Sequence, residues 1–306
     1  MSIDPNWRAV EPEPDREAVQ AQRRLHPLRM DSSWLPAEPD PTAIRARFAD
    51  PLAALATAQT PALILRGAYP AADCAGLIQR FIDRGLMPAP DAVAAAGTPR
   101  QRIDIGTSLG NRGDDQEAFL QHAASTHELF RTLFAGFANP IDAIYGSLAA
   151  LANGKQVANA RQPDGRAYGP AIFRIHYGDH AYAPHFDSVR LREKRISYAV
   201  SRFQHQFAGI LCLQNDTPEA GSTQTIIHRC LWTPEVQPQL AAGTFPAYAA
   251  EHGIGCRSVG LQPGDLYFFN TQCIHEVPAL LGRAPRIVLA VFIGYSPDDR
   301  EVLVWS

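Results

Sequence analysis

From Pro170 to the C-terminus the chain is a string of short apolar runs set off by turn residues: AIFRIHY, SYAVSRF, FAGILCL, STQTIIH, GDLYFFN and RIVLAVFIGY. Runs of this length and spacing, with no long amphipathic helix between them, predict an antiparallel sandwich or barrel. Such a half buries at least one face of every strand and needs a large apolar supply. The sequence provides it: 46% of the 306 residues are hydrophobic and 19% are charged, which excludes a largely disordered chain.

The residues before 170 have a different texture. Residues 1–60 are rich in Pro, Asp, Glu and Ala, with EPEPD and AEPDP interrupting any sustained period, and predict an extended arm with short helices, wrapped on the surface or partly mobile. PALILRG (61–67) predicts a short strand. PAADCAGLIQRFIDRGL then predicts an amphipathic helix, with Leu77, Ile78, Phe81 and Ile82 on one face and Gly85 at its C-terminal cap. Two more helices are expected between 114 and 153, one carrying Leu129, Phe130, Leu133, Phe134 and Phe137, the other Ile141, Ile144, Tyr145, Leu148 and Leu151, with Asn139-Pro140 as the break. NGKQVANARQPDGRAYG reads as a polar loop. The expectation is an α+β protein with an arm (1–60), a helical support region (61–169) and a strand core (170–306), the last two forming one domain.

The formal net charge of −3 and the lack of a sustained Lys/Arg run exclude an electrostatic footprint for nucleic acid. The N-terminus lacks a basic start followed by an apolar segment, and no later apolar run approaches the roughly 20 residues that span a bilayer. A cytoplasmic protein acting on a small molecule, without nucleic-acid or membrane partners, is expected. The five cysteines, Cys74, Cys212, Cys230, Cys256 and Cys273, are an odd number without a CxxC pair, so neither a disulfide framework nor a thiolate zinc site is predicted.

The chemistry-bearing residues lie in the strand-rich half. In PHFDSVR, His185 and Asp187 are two apart, and in an extended segment such residues project to the same side. The pair needs a third ligand, and His275 in PGDLYFFNTQCIHEVP is the best candidate. Two imidazoles and one carboxylate form the facial set that suits a non-heme ferrous ion with open positions. Arg286 opens the apolar run RIVLAVFIGY, where a buried charge is costly unless an anion pairs with it. A dicarboxylate cosubstrate would be such an anion, and the planar guanidinium fork suits a carboxylate. On these residues alone, a cupin-like metal protein that uses no such cosubstrate stays open, with Arg286 separating the two readings.

Other groups have blander readings. His176, His180, His205 and His228 read as surface or hydrogen-bonded core histidines. The basic run Arg190, Arg192, Lys194 and Arg195 reads either as a solvated loop or as an anion-recognising rim. Phe173 and Ile175 share strand parity with Tyr177 and read as core packing, with pocket lining as the alternative.

Taken in order, HYGDHAYAPHFDS, GDLYFFNTQCIHEVP and the arginine beyond it resemble the iron(II)- and 2-oxoglutarate-dependent oxygenases, in their prolyl-4-hydroxylase-like pattern, over roughly residues 170–295. The resemblance implies a double-stranded β-helix (jelly-roll) core with the N-terminal helical portion packed against it. It implies Fe(II), 2-oxoglutarate and O2 as cofactor and cosubstrates, with His185, Asp187 and His275 as iron ligands and Arg286 on the far carboxylate of 2-oxoglutarate. Tyr177 matches the pattern's first tyrosine, which implies a hydrogen bond from its hydroxyl to the cosubstrate; Tyr182 matches the second, with no chemistry assigned. Arg283 is the alternative to Arg286, and Val288 stands where the family often has Ser or Thr.

The implied reaction is hydroxylation, desaturation or ring closure at an unactivated C–H bond of a small molecule such as an amino acid or natural-product intermediate, with release of succinate and CO2. A prolyl-type protein hydroxylase is the variant within the class. A related bacterial branch comprises stand-alone halogenases in which Gly or Ala replaces the carboxylate of the triad. This sequence keeps Asp187, so a hydroxylase-type enzyme is expected.

Overall fold

The computed structural model describes residues 23–89, 102–177, 181–215, 225–280 and 284–306. Three strands, β1 (Leu63–Leu65), β2 (Ile103–Gly106) and β3 (Gln156–Asn159), precede the strand-rich half. Nine follow: β4 (Ile172–His176), β5 (Tyr182–His185), β6 (His205–Gln214), β7 (Thr225–Leu231), β8 (Cys256–Val259), β9 (Leu266–Asn270), β10 (Cys273–Val277), β11 (Arg286–Tyr295) and β12 (Glu301–Trp305).

The larger sheet runs β1-β9-β6-β11-β12-β3, with β4 on β11 and β2 beyond β4; the smaller runs β5-β10-β7-β8. Along the chain β4, β6, β9 and β11 fall in the larger sheet and β5, β7, β8 and β10 in the smaller, so the backbone passes back and forth between the two. Every pairing is antiparallel except β12 on β3. The ten-residue β11 pairs with β6 along most of its length and, on its other edge, with β4 and then β12. That central place explains its unbroken apolar run, because a strand buried on both faces shows no alternation.

The helices pack on this frame. Before the second sheet come α1 (Pro41–Arg47), α2 (Pro51–Ala56), α3 (Ala71–Asp83), α4 (Leu109–Arg112), α5 (Gln116–Leu133) and α6 (Pro140–Leu151). α3 and α5 meet β4 through aromatic edges: Phe81 and Phe130 lie 4.8 and 5.7 Å, ring centre to ring centre, from Phe173. α7 (Gln237–Ala241) and α8 (Phe245–Glu251) follow β7, and their Leu240 and Phe245 cluster with Phe186 and Ile274 beside the smaller sheet. No helix among the described residues is long and apolar enough to cross a membrane.

Three expectations are corrected. The stretch up to residue 60 is not a surface arm throughout, because α1 and α2 bury Ile44, Leu52 and Leu55 completely. Its Asp-Pro pairs start helices: Asp40 and Asp50 accept from the Ala43 and Ala53 amides while Pro41 and Pro51 take the first helical position. SYAVSRF forms a 3-10 turn at Ala199–Arg202 in place of a strand, which lets Tyr198, Val200 and Phe203 converge on one apolar cluster. The polar loop after α6 contains β3, which completes the backbone bonding of the edge strand β12.

The Pro263-Gly264-Asp265 turn that opens β9 is fixed from both sides. Asp265 accepts from the Gly67 and Gln262 amides (2.9 and 3.0 Å) and from Arg66 (2.8 Å). Gly264 sits at φ +93°, where an added Cβ would lie 2.3 Å from the Tyr69 carbonyl oxygen. Gly264→Ala is therefore expected to cost about 2 kcal/mol or more of folding stability, read as a lower urea midpoint at unchanged slope.

Candidate metal centre

His185 ends β5 and His275 lies in the middle of β10, and the two are register partners in the smaller sheet. Their rings stand 4.2 Å apart, centre to centre. Asp187 follows β5 by two residues and is pinned by its backbone: its amide donates to the Thr271 carbonyl and its carbonyl accepts from the Thr271 hydroxyl, each at 2.9 Å. Its Oδ2 lies 3.5 Å from His275 Nε2 and 3.9 Å from His185 Nε2. One ligand atom from each of the three residues falls within 4.8 Å of the others, so the structure brings the sequence-predicted set together.

The tautomers fit a metal. His185 Nδ1 is 2.7 Å from the Ala183 carbonyl and His275 Nδ1 is 2.9 Å from the Cys273 carbonyl. A carbonyl only accepts, so each Nδ1 carries the proton and each Nε2 presents its lone pair to the shared point. Burial and the neighbouring His275 push the His185 imidazole down to about 3, which keeps it in the neutral, metal-binding form. Burial works against ionisation of Asp187, but the imidazoles of His275 and His185 and the Arg192 guanidinium outweigh it and hold the carboxyl well below the usual range. The donor set fits a ferrous ion.

Arg192 supports the carboxylate from behind. Its Nη1 donates to the Phe186 carbonyl (2.9 Å) and to Asp187 Oδ1 (3.0 Å), leaving Oδ2 to face the imidazoles. Arg192→Leu would free the carboxylate to rotate and is expected to weaken Fe(II) binding about tenfold or more, measured by anaerobic metal titration. The basic run is thus engaged in part: Arg195 also bonds the Leu109 carbonyl, Asp114 and Glu193, while Lys194 is exposed.

The triad opens on a cavity of about 440 Å³. Arg286 lines it, 6% exposed, and no carboxylate pairs with it among the described residues. That is the arrangement a carboxylate-bearing cosubstrate would complete. Val288 and Ala290 continue the same wall along β11.

Tyr177 is not brought to the cavity. Ile172, Arg174 and His176 line it, whereas Phe173, Ile175 and Tyr177 are buried in the core with α3 and α5. The reason is strand alternation: the aromatic contacts of Phe173 commit that parity to the helices, and Tyr177 shares it. Tyr182 is the tyrosine that lines the cavity, its hydroxyl accepting from Arg102 Nη1 at 2.6 Å.

Sequence reasoning also missed Arg102, Arg174 and Glu193 as cavity residues. Arg174, the one charge inside the apolar run AIFRIHY, was the available signal. Burial pushes the Glu193 carboxyl up to about 7, against the pull of Arg195. Of the histidines set aside, His228 is buried 2.8 Å from the Glu276 carboxylate, and His205 packs beside Phe207 and Tyr295. His176 lines the cavity, opposite Arg286 in register. His180 and Arg283 lie outside the described residues.

The family model of the carrier-protein-independent halogenase WelO5 matches residues 42–306. No curated protein matches. Among solved structures, an N-substituted L-amino acid dioxygenase from Burkholderia ambifaria AMMD is similar at 13% identity over 83% of this chain and 90% of that one, with a TM-score of 0.53. The same enzyme in complex with alpha-KG gives 13% identity, 84% and 91% coverage and a TM-score of 0.53. HygX from Streptomyces hygroscopicus, with nickel and 2-oxoglutarate bound, gives 13% identity, 80% and 86% coverage and a TM-score of 0.46.

Proposed function

The chain belongs to the family of the carrier-protein-independent halogenase WelO5, within the iron(II)- and 2-oxoglutarate-dependent oxygenases, and from that premise we propose that it oxidises a C–H bond of a small molecule and does not halogenate it. The observation that carries this is Asp187. Its Oδ2 faces both imidazoles at 3.5 and 3.9 Å, in the position that a halogenase of this kind leaves open for chloride by carrying Gly or Ala. With the carboxylate present, that position is taken.

His185, Asp187 and His275 would hold the iron, and Arg286 the far carboxylate of 2-oxoglutarate. When bound, iron and 2-oxoglutarate supply with O2 the oxidising power for the C–H bond, and 2-oxoglutarate leaves as succinate and CO2. The chain's own part is to aim. Arg192 keeps one Asp187 oxygen turned to the metal position, and the Nδ1 bonds of both imidazoles fix their rings. Ile172, Val288 and Ala290 supply an apolar wall that displaces water from the substrate's side of the cavity. The alternation of β4 to β11 between two sheets supports reading the core as a double-stranded β-helix. Strands β1 to β3 are sewn into the larger sheet, which supports one domain for residues 61–306.

Anaerobic addition of Fe(II) and 2-oxoglutarate tests the proposal. A visible charge-transfer band that needs both components, and that chloride does not shift, is the expected result. No band at saturating concentrations would sink the oxygenase reading, and a chloride-dependent shift would return the enzyme to the halogenases.

A further inference from the structure

Two guanidiniums line the cavity without an acidic partner among the described residues, and the proposed chemistry uses one of them. Arg286 is the first. Arg174, at the centre of β4, is the second: its Nε is buried with no hydrogen-bond partner, and among the described residues it forms no ion pair. The nearest acid in register is Asp104 on β2, directly opposite Arg174. Its Oδ2 accepts from Arg102 Nη2 (2.8 Å) and Asn111 Nδ2 (3.0 Å), while its Oδ1 is buried with no hydrogen-bond partner, and no ion pair joins it to Arg174 among the described residues.

The remaining cations on the wall are either satisfied or in solvent. Arg102 is held by Asp104 and Tyr182, Arg192 by Asp187, and Arg195 by Asp114 and Glu193, while Lys194 is exposed. Six basic side chains line the cavity, against Asp114, Asp187 and Glu193 on its wall and Asp104 behind Arg102, which leaves the cations in excess. A ferrous ion and the 2-oxoglutarate dianion bring cancelling charges, so this surplus persists with both bound. A half-buried guanidinium with an unfilled donor in a cationic cavity calls for an anion.

That anion is not the cosubstrate's. In the proposed function one carboxylate of 2-oxoglutarate goes to Arg286 and the other to the metal. Arg174 pairs in register with Val288 and Arg286 with His176, so the two arginines rise from the same face of neighbouring strands, one diagonal step or about 7 Å apart at the backbone. Resting on the oxygenase reading, we propose that Arg174 seats a carboxylate of the substrate itself, and that the enzyme therefore acts on a small carboxylic acid. The cavity of about 440 Å³ admits a small molecule with its acid group on β4 and its carbon skeleton against Ile172, Val288 and Ala290.

The test uses the full chain loaded anaerobically with Fe(II) and 2-oxoglutarate, so that no turnover occurs. N-acetyl-L-amino acids with small, branched and aromatic side chains are titrated calorimetrically, each against its own primary amide, which keeps the shape and removes the charge. At least one acid is expected to bind about tenfold or more tightly than its amide. Arg174→Leu should abolish that preference while changing the 2-oxoglutarate Kd by less than about threefold, and Arg174→Lys should restore part of it. Unchanged thermal melting of both variants shows that they fold, and the lysine variant decides the matter if the leucine variant does not.

The proposal is overturned if no acid is preferred over its amide, or if the preference survives in Arg174→Leu. It is also overturned if Arg174→Leu weakens 2-oxoglutarate as much as Arg286→Leu does, because the carboxylate served is then the cosubstrate's. A wild type that binds no 2-oxoglutarate would instead refute the oxygenase reading on which the proposal rests.

Discussion

Replacing His275 with alanine is expected to abolish the Fe(II)- and 2-oxoglutarate-dependent visible band and to weaken Fe(II) binding by about a hundredfold or more. The size of the effect follows from where the ring sits. His275 is 4% exposed in the middle of β10, opposite His185, so its removal takes away the ligand best shielded from water. What remains is one imidazole and one carboxylate, both at the cavity wall, with His185 and Asp187 side chains 21% and 23% exposed. The fold should survive: the lost ring packs edge-on to Phe269 at 5.0 Å, and truncating it costs about 1–3 kcal/mol. A variant that keeps the band with a native melt would remove His275 from the metal set.

The grouping of His185 and Asp187 was legible in the sequence because that pair is local. His185 and Asp187 are joined by one residue of extended chain, and His275 follows a turn, Pro263-Gly264-Asp265, that announces its strand pair. The depth of Arg286 was legible for a similar reason, since the nine apolar or small residues that follow it in a row are a buried strand wherever they fall. The face of β4 was not legible. IFRIH is buried along most of its length, and which parity meets helices and which meets the cavity depends on where α3 and α5 dock, a contact between residues far apart in sequence. Tyr177 was assigned to the cavity from a pattern, and Arg174 was passed over because a charge in an apolar run has no meaning until its face is known.

The same cause accounts for the N-terminal stretch. Asp40-Pro41 and Asp50-Pro51 break a periodic pattern and also cap a helix, and only the burial of Ile44, Leu52 and Leu55 decides between the two. Propensity spoke to the local geometry and was silent on the packing partner. SYAVSRF shows the converse, an apolar alternation that fits a strand but turns instead, with Tyr198 donating to the Gly113 carbonyl at 2.8 Å and packing with Val200 and Phe203 in one cluster.

Arg286→Leu should separate cosubstrate binding from metal binding. The guanidinium is buried, unpaired among the described residues and set across from His176, so in the free protein it is a desolvated charge without compensation. Removing it is expected to leave the melting temperature unchanged or raise it, the opposite of what losing a structural ion pair does. The 2-oxoglutarate Kd should rise about a hundredfold, the loss of a bidentate charge-assisted contact, while the Fe(II) affinity stays within about threefold. Arg286→Lys should fall between, because an ammonium keeps the charge and loses the fork. Arg283→Leu is the control, and an equal rise in Kd there with none at Arg286 would move the carboxylate contact to the other arginine. A drop in stability for Arg286→Leu, with 2-oxoglutarate binding intact, would show that the charge has a structural partner and would take the cosubstrate's anchor away from β11.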